Sequence, residues 1–242
     1  MNICIFTGYI GFTQRTNNIA KFINRDFPNI KISTIVFGRP NYDFLIRQNY
    51  TKYEEVTCIE HIMEEIDKKN ILVTDDEIKK MEEYLQCSLT HLAYSERTFV
   101  QHTHNLNYER RLSQSEIIKF TFLLIKKLDE LTKNSSIIFT YTSASLVSEI
   151  LFHLCKVNNK KYLTLNETRL AYRWSITENN IDYHEKIHNY YKSSKITNEG
   201  KILIDKYIQN LKLNIKNEIE MDYQKKIIDT KRLNFKNIMR FT

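Results

Sequence analysis

Short apolar runs and amphipathic stretches alternate along most of this chain. The opening run Ile3-Cys4-Ile5-Phe6 is closed off by Gly8, and such a run reads as a parallel strand buried on both faces. Ile19, Phe22, Ile23 and Phe27 then recur at helical spacing and stop at Pro28, which predicts a helix with all four on its buried stripe. Ile32, Thr34 and Val36 alternate ahead of Gly38-Arg39-Pro40, a strand followed by a turn signal. Strand, helix and strand in so short a span make a βαβ unit, whose crossover is expected to be right-handed.

The pattern continues less evenly. Val56 to Ile59 fits either a short strand or the first turn of a helix carrying Ile59, Ile62, Met63 and Ile66. Thr74 to Glu77 spells a capping box, so a helix should start there and bury Ile78, Met81, Tyr84 and Leu85. A second box, Ser113 to Glu116, opens the clearest helix, with Ile117, Phe120, Thr121, Leu124, Leu128 and Leu131 in one stripe. A strand around Ile137 to Tyr141 ends in hydroxyl residues and leads into a helix with Leu146, Val147, Ile150, Leu151 and Leu154 on one face. Tyr162 to Leu165 forms another strand that breaks into a polar loop. Beyond Asn179 the pattern is helical, with Ile202, Leu203, Tyr207, Ile208, Leu211 and Ile215 in an amphipathic stripe. The alternation predicts an α/β domain over residues 1–180 with a mainly parallel sheet. Residues 181–242 are expected to form a helical extension, either packed on that domain or leading to a second one.

Composition changes this picture little. The chain has ordinary shares of hydrophobic and charged residues, 42% and 27%, which argues against an intrinsically disordered chain. No apolar stretch approaches the roughly 20 residues that a membrane crossing needs, and the start lacks the basic and apolar regions of a signal peptide. Cys4, Cys58, Cys87 and Cys155 have no metal-ligand spacing, so buried reduced thiols in a cytoplasmic protein are expected. Charge matters more. Of the net +7, residues 201–242 hold +5, from ten Lys or Arg against five Asp or Glu. A solvated helix face accounts for this. So does a surface for anionic partners, with peripheral contact at the inner face of a membrane among them. Nucleic acid is not expected, because no stacking platform or recognised motif accompanies the charge.

Candidate chemistry collects at three strand ends: Thr7 to Gly11, Thr140 to Ser145, and Asn166 to Arg173. In open α/β sheets ligands bind beyond the carboxyl ends of strands. Gly8 and Gly11, with Tyr9 between them, give G-x-x-G and no P-loop lysine, which argues against a dinucleotide or nucleoside-triphosphate site. What remains is either a plain turn or close approach of backbone to a ligand at a helix start. Thr142, Ser143 and Ser145 can bond a sugar or phosphate, or cap the next helix; no Gly-x-Ser-x-Gly elbow is present. Residues 95–111 concentrate Glu96, Arg97, His102, His104, Glu109, Arg110 and Arg111. An adjacent Glu and Arg can keep a carboxylate ionised or clamp an anion, whereas His102 and His104 lack a third metal ligand. His184 to His188 reads H-E-x-x-H, a zinc signature. Lys186 within it and polar flanks favour a chance match, Glu199 and Asp205 being the only nominees for a third ligand; no metal site is expected.

The order of "AYSERTF", "SQSEIIKFTFLLIKKLDEL" and "SIIFTYTSASLVSEILFHLCKVNNKKYLTLNETRLAYRWSITEN" resembles the amino-terminal half of bacterial capsule-polysaccharide-type glycosyltransferases. The resemblance covers roughly residues 1–180 and is one of pattern. It implies a GT-B-like transferase architecture, in which a Rossmann-like three-layer domain carries the acceptor and a second half binds a nucleotide-sugar donor. It implies Glu96 or Glu167 as the base, with His102 in reserve. Arg97, Arg169 and Arg173 would hold an anionic acceptor or the leaving diphosphate, and Gly8, Tyr9, Gly11, Thr142 and Ser143 would wall the acceptor site. The implied partners are a glycan or lipid-linked acceptor and a second GT-B half. No cofactor is assigned to this chain, and turnover by it alone is not expected. The rival reading is a non-enzymatic binding module whose basic helical tail docks elsewhere.

Overall fold

A computed structural model of the chain describes residues 1–8, 10–68, 72–94, 113–141, 145–167, 174–179 and 185–218. Its strands are β1 (Asn2–Thr7), β2 (Lys31–Val36), β3 (Glu55–Cys58), β4 (Ile137–Tyr141), β5 (Lys161–Glu167) and β6 (Trp174–Thr177). Its helices are α1 (Ile10–Asp26), α2 (Arg39–Arg47), α3 (Ile59–Lys68), α4 (Asp75–Leu85), α5 (Leu89–Tyr94), α6 (Gln114–Thr132), α7 (Leu146–Val157), α8 (Glu185–Ser193) and α9 (Asn198–Glu218). The strands make one sheet in the order β3-β2-β1-β4-β5-β6. The first five are parallel: Ile5 lies opposite Thr34 of β2 and Phe139 of β4, and Phe139 lies opposite Leu163 of β5.

The apolar runs form strands because both faces of the sheet are covered. On β1, Ile3 and Ile5 point to one face with Ala20 of α1, Ile32, Phe139 and Leu165. Cys4 and Phe6 point to the other, among Ile59 and Ile62 of α3, Leu85, Leu89, Leu92, Phe122 to Ile125 and Leu128 of α6, and Leu146, Val147, Ile150, Leu151, Leu154 and Cys155 of α7. Helix α2 closes over β2 and β3 through Leu45, Val36 and Cys58. This is a Rossmann-like three-layer α/β fold with a mainly parallel sheet. Cys4, Cys58 and Cys155 are buried, Cys87 is half-buried, and all four are free thiols.

Several elements differ from the sequence expectation. Of the expected stripe, Ile19 and Ile23 pack against the core, but Phe22 and, just beyond the end of α1, Phe27 are 52% and 59% exposed; the fully buried positions of α1 are Thr13, Thr16, Asn17 and Ala20. Small and polar side chains let the helix approach the sheet: Thr16 Oγ1 donates back to the Phe12 carbonyl at 2.9 Å, and Tyr53 Oη donates to Asn17 Oδ1 at 2.8 Å, while Asn17 Nδ2 is buried without a partner among the described residues. Gly38 and Pro40 start a helix instead of merely turning the chain: Gly38 is the N-cap of α2 and Pro40 stands in its first turn, where a missing N–H costs nothing. Around Val56 both options are realised in succession, β3 ending at Cys58 and α3 beginning at Ile59. Tyr84 lies at the surface and hydrogen-bonds Asn158. Helix α6 is wrapped more widely than one stripe, since Phe122, Leu123 and Ile125 are buried beside Thr121, Leu124 and Leu128.

Strand β6 lies where a polar loop was expected. Only Thr177 of its four residues is buried, so an edge strand left no apolar run to read. Asn166 Nδ2 donates to Thr177 Oγ1 at 2.9 Å, and Thr164 Oγ1 to the Asn179 carbonyl at 3.0 Å. Advancing along β5 therefore retreats along β6, the register of an antiparallel pair, which a short connection permits.

Both capping boxes form. Thr74 and Glu77 close the start of α4, Ser113 and Glu116 the start of α6, and Ser145 with Ser148 makes a third at the start of α7. The chain divides into two compact units, Met1–Asn166 with Ser175–Tyr183, and Glu167–Trp174 with His184–Thr242. No helix among the described residues is long and apolar enough to cross a membrane.

Leu128 is fully buried beneath the sheet and Leu203 of α9 is 68% exposed. Leu128→Ala should cost about 2–5 kcal/mol, and Leu203→Ala less than about 0.5 kcal/mol, both read from denaturant midpoints. A second expectation concerns pH. His153 Nδ1–H donates to the Leu85 carbonyl at 3.3 Å, tying α7 to the end of α4. Burial, and then the nearby charges of Lys156 and His91, push its pKa below 6.5 despite that bond. The unfolded chain thus takes the proton first, so this contribution is intact above pH 6.5 and is lost as pH falls through that value. Melting curves between neutral and mildly acidic pH should show the loss, and His153→Gln should flatten it.

Candidate functional site

The strand order reverses between β1 and β4. From β1 the chain leaves through α1 toward β2; from β4 it leaves through α7 toward β5, on the other face of the sheet. The connections diverge at the carboxyl ends of the two middle strands, the place where doubly wound sheets take ligands. The carboxyl end of β5 is next along the same edge. The three segments nominated from sequence therefore depart from three adjacent strand ends.

The first turn of α1 is locked to the end of β1 by a buried hydrogen bond of 2.7 Å between the hydroxyls of Thr7 and Thr13. Asn41 Nδ2, from α2, donates to the Gly8 carbonyl at 3.1 Å and fixes the connecting backbone from the other side. On the α1 face, Phe12 stacks on Tyr141, the last residue of β4, with ring centroids 3.5 Å apart and planes at 27°. The Arg15 guanidinium lies 5.8 Å from the Phe12 centroid, and its Nη1 donates to Tyr141 Oη at 3.3 Å. Arg15 is solvent-exposed and stands beside this aromatic pair. On the far side Ser145 caps α7.

Deeper in the sheet, on the α7 face, Thr140 Oγ1 lies 3.1 Å from Tyr162 Oη and 3.2 Å from Thr164 Oγ1. Burial pushes the Tyr162 phenol up to about 12, against the pull of these hydroxyls, so it stays a neutral donor. This network braces β4 and β5 just behind the rim.

Gly8 and Gly11 are not glycines by backbone necessity. Neither has a positive φ, and a Cβ on either would meet nothing within 4 Å. The expectation that Gly8 serves a turn closed to other residues is thus not supported; what the two positions leave is open space above the backbone. Gly11 sits in the first turn of α1 and Glu167 is the last residue of β5. Tyr9, Glu96, Arg97, His102, Thr142, Ser143, Arg169 and Arg173 lie outside the described residues. In the H-E-x-x-H segment His184 is also outside them, while Glu185 begins α8 and His188 lies within it. Among the described residues no group of three or more His, Cys, Asp or Glu is placed to hold a metal.

Phe12, Arg15, Asn41 and Tyr141 were not among the residues nominated from sequence. Arg15 had a readable signal: it follows Gly11 by four positions and so shares its helix face. Asn41 had none, because its role depends on α2 reaching back over the end of β1.

The fold is that of a Rossmann-like α/β domain whose strand order reverses between β1 and β4. No protein family matches the chain, and neither the curated proteins nor the solved structures include a significant match to it.

Removing the Asn41 amide leaves the Gly8 carbonyl without that donor. Asn41→Ala should destabilise the domain by about 1–2 kcal/mol, read as a lower denaturant midpoint. Asn41→Asp, which keeps the shape but offers an acceptor to an acceptor, should do no better.

Proposed function

We propose that the chain is a glycosyltransferase-like domain of surface or capsular polysaccharide biosynthesis, binding a glycan or lipid-linked acceptor along the carboxyl ends of β1, β4 and β5. The observation that carries this reading is the adjacency of those three strand ends at the point of strand reversal. The chemistry of the rim supports it. Phe12, half-buried against the buried Tyr141, offers an apolar surface to a sugar ring face, the hydroxyls of Thr142 and Ser143 suit its polar edge, and the exposed Arg15 guanidinium adds positive charge for an anionic substituent. Open space above Gly8 and Gly11 admits a ligand close to the backbone.

In this reading Glu96 or Glu167, or else His102, accepts the proton of the attacking acceptor hydroxyl. The new glycosidic bond forms as the bond to the leaving nucleoside diphosphate breaks. Arg97, Arg169 and Arg173 stabilise the charge gathering on the diphosphate. The nucleotide-sugar donor is held by a second GT-B half, as the sequence resemblance implies. Free, buried thiols accord with work in the cytoplasm, at the inner face of the membrane.

Calorimetric titration of the full chain with defined acidic oligosaccharides tests the acceptor site. Arg15→Ala, Arg169→Ala and Arg173→Ala should each weaken binding about tenfold, equivalent to about 1.4 kcal/mol, with unchanged melting temperatures. Gly8→Ala should fold as well as the parent and also bind less tightly, because the new methyl occupies the ligand's space. Full affinity in all four variants, or no binding by the parent to any acidic or neutral glycan, would remove the acceptor from this edge.

A further inference from the structure

Helix α9 and the segment before it present apolar side chains to solvent that a folded chain ordinarily covers. Tyr190 and Tyr191 are 73% and 72% exposed, Ile196 is 52% exposed, and Ile202 and Leu203 are 67% and 68% exposed. Ile204 and Ile208 remain 46% and 42% exposed. Leu203, Ile204, Tyr207 and Ile208 follow one another at helical spacing and share one face of α9. Scattered single apolar residues at a surface mean little, but a contiguous run of this size marks a contact surface.

Charge says which contact. Between Tyr190 and Lys212 stand five lysines, Lys192, Lys195, Lys201, Lys206 and Lys212, against two acids, Glu199 and Asp205. All five lysines are exposed, and among the described residues none of them has an ion-pair partner in the chain. Lys201 and Lys212, eleven residues apart and so close to three turns, fall on one flank of the apolar face. Long ammonium stems beside apolar side chains match an interface in which the apolar groups sink below a plane of negative charge while the ammonium groups stay in it. Two neighbouring exposed tyrosines fit the same boundary, each with an apolar ring and a polar tip. A second copy of this chain would bring five lysines against five lysines at such a face, which charge repulsion disfavours.

We propose that residues 190–212 form a docking surface for an anionic lipid bilayer, with the exposed face of α9 lying in the headgroup plane. This is independent of what the rim of the sheet binds. The attraction is divided between apolar insertion and lysine–lipid pairing, so it depends on both membrane charge and salt. Each lysine near an anionic surface strengthens binding about fivefold at physiological ionic strength.

The test is flotation of the full chain with phosphatidylcholine vesicles, with and without phosphatidylglycerol, over a range of salt. The parent should float with the phosphatidylglycerol vesicles, be released by high salt, and ignore the neutral ones. Leu203→Glu combined with Ile204→Glu should lose flotation at least tenfold without a change in melting temperature, since both side chains are exposed. Lys201→Glu combined with Lys212→Glu should weaken it by about 25-fold or more. Glu199→Lys should strengthen it, an effect that disturbed folding cannot produce. Failure of the parent to float with anionic vesicles, or equal flotation with neutral ones, would overturn the proposal. So would a stable dimer, seen by sedimentation, that Leu203→Glu with Ile204→Glu dissolves, for then a second copy covers the face.

Discussion

The geometry of this molecule follows from a constraint on how a twisted parallel sheet is wound. Moving outward from β1 on one face and outward from β4 on the opposite face are crossovers of the same hand, and that hand is nearly obligatory in βαβ units. Once β1 and β4 are neighbours, α1 and α7 must part company above them. This divergence at the strand ends is thus imposed by topology before any side chain is chosen. Sequence then decides what furnishes it: aromatic rings and a guanidinium on the α1 side, a serine cap on the other.

Much of the fold was legible because its strongest signals are local. The runs at β1, β2, β4 and β5 are bounded and apolar, and the capping boxes at Thr74 and Ser113 lie where helices begin. The failures are equally physical. Helix α1 hides threonine and asparagine against the sheet and shows Phe22 to water, while only Ile19 and Ile23 of the expected stripe pack inward, so the apolar positions marked its buried face only in part. Helix α2 carries few buried apolar residues, and β6 sits at an edge with little to bury. In each case tertiary packing overrode the periodicity that sequence reading relies on.

The site was legible in outline only. That polar segments follow β1, β4 and β5 could be read from the chain, and that the three strands are neighbours follows from the topology. The residues that furnish the described part of the rim were harder. Tyr141 reads as the end of a strand and Phe12 lies ahead of the helical pattern that begins at Ile19; only the fold reveals that they stack. Asn41 reaches Gly8 across 33 positions of sequence, a relation that no local pattern encodes.

The buried thiols have a practical corollary. Burial drives Cys4 and Cys155 each up to about 12, so near neutrality neither holds appreciable thiolate while the core is closed, and reagents that attack thiolate cannot reach them. Cys87, half-buried at the close of α4, is the more accessible. Timed alkylation would therefore distinguish fraying near α4 from opening of the sheet itself, giving the protein an intrinsic clock for its own breathing that needs no added label.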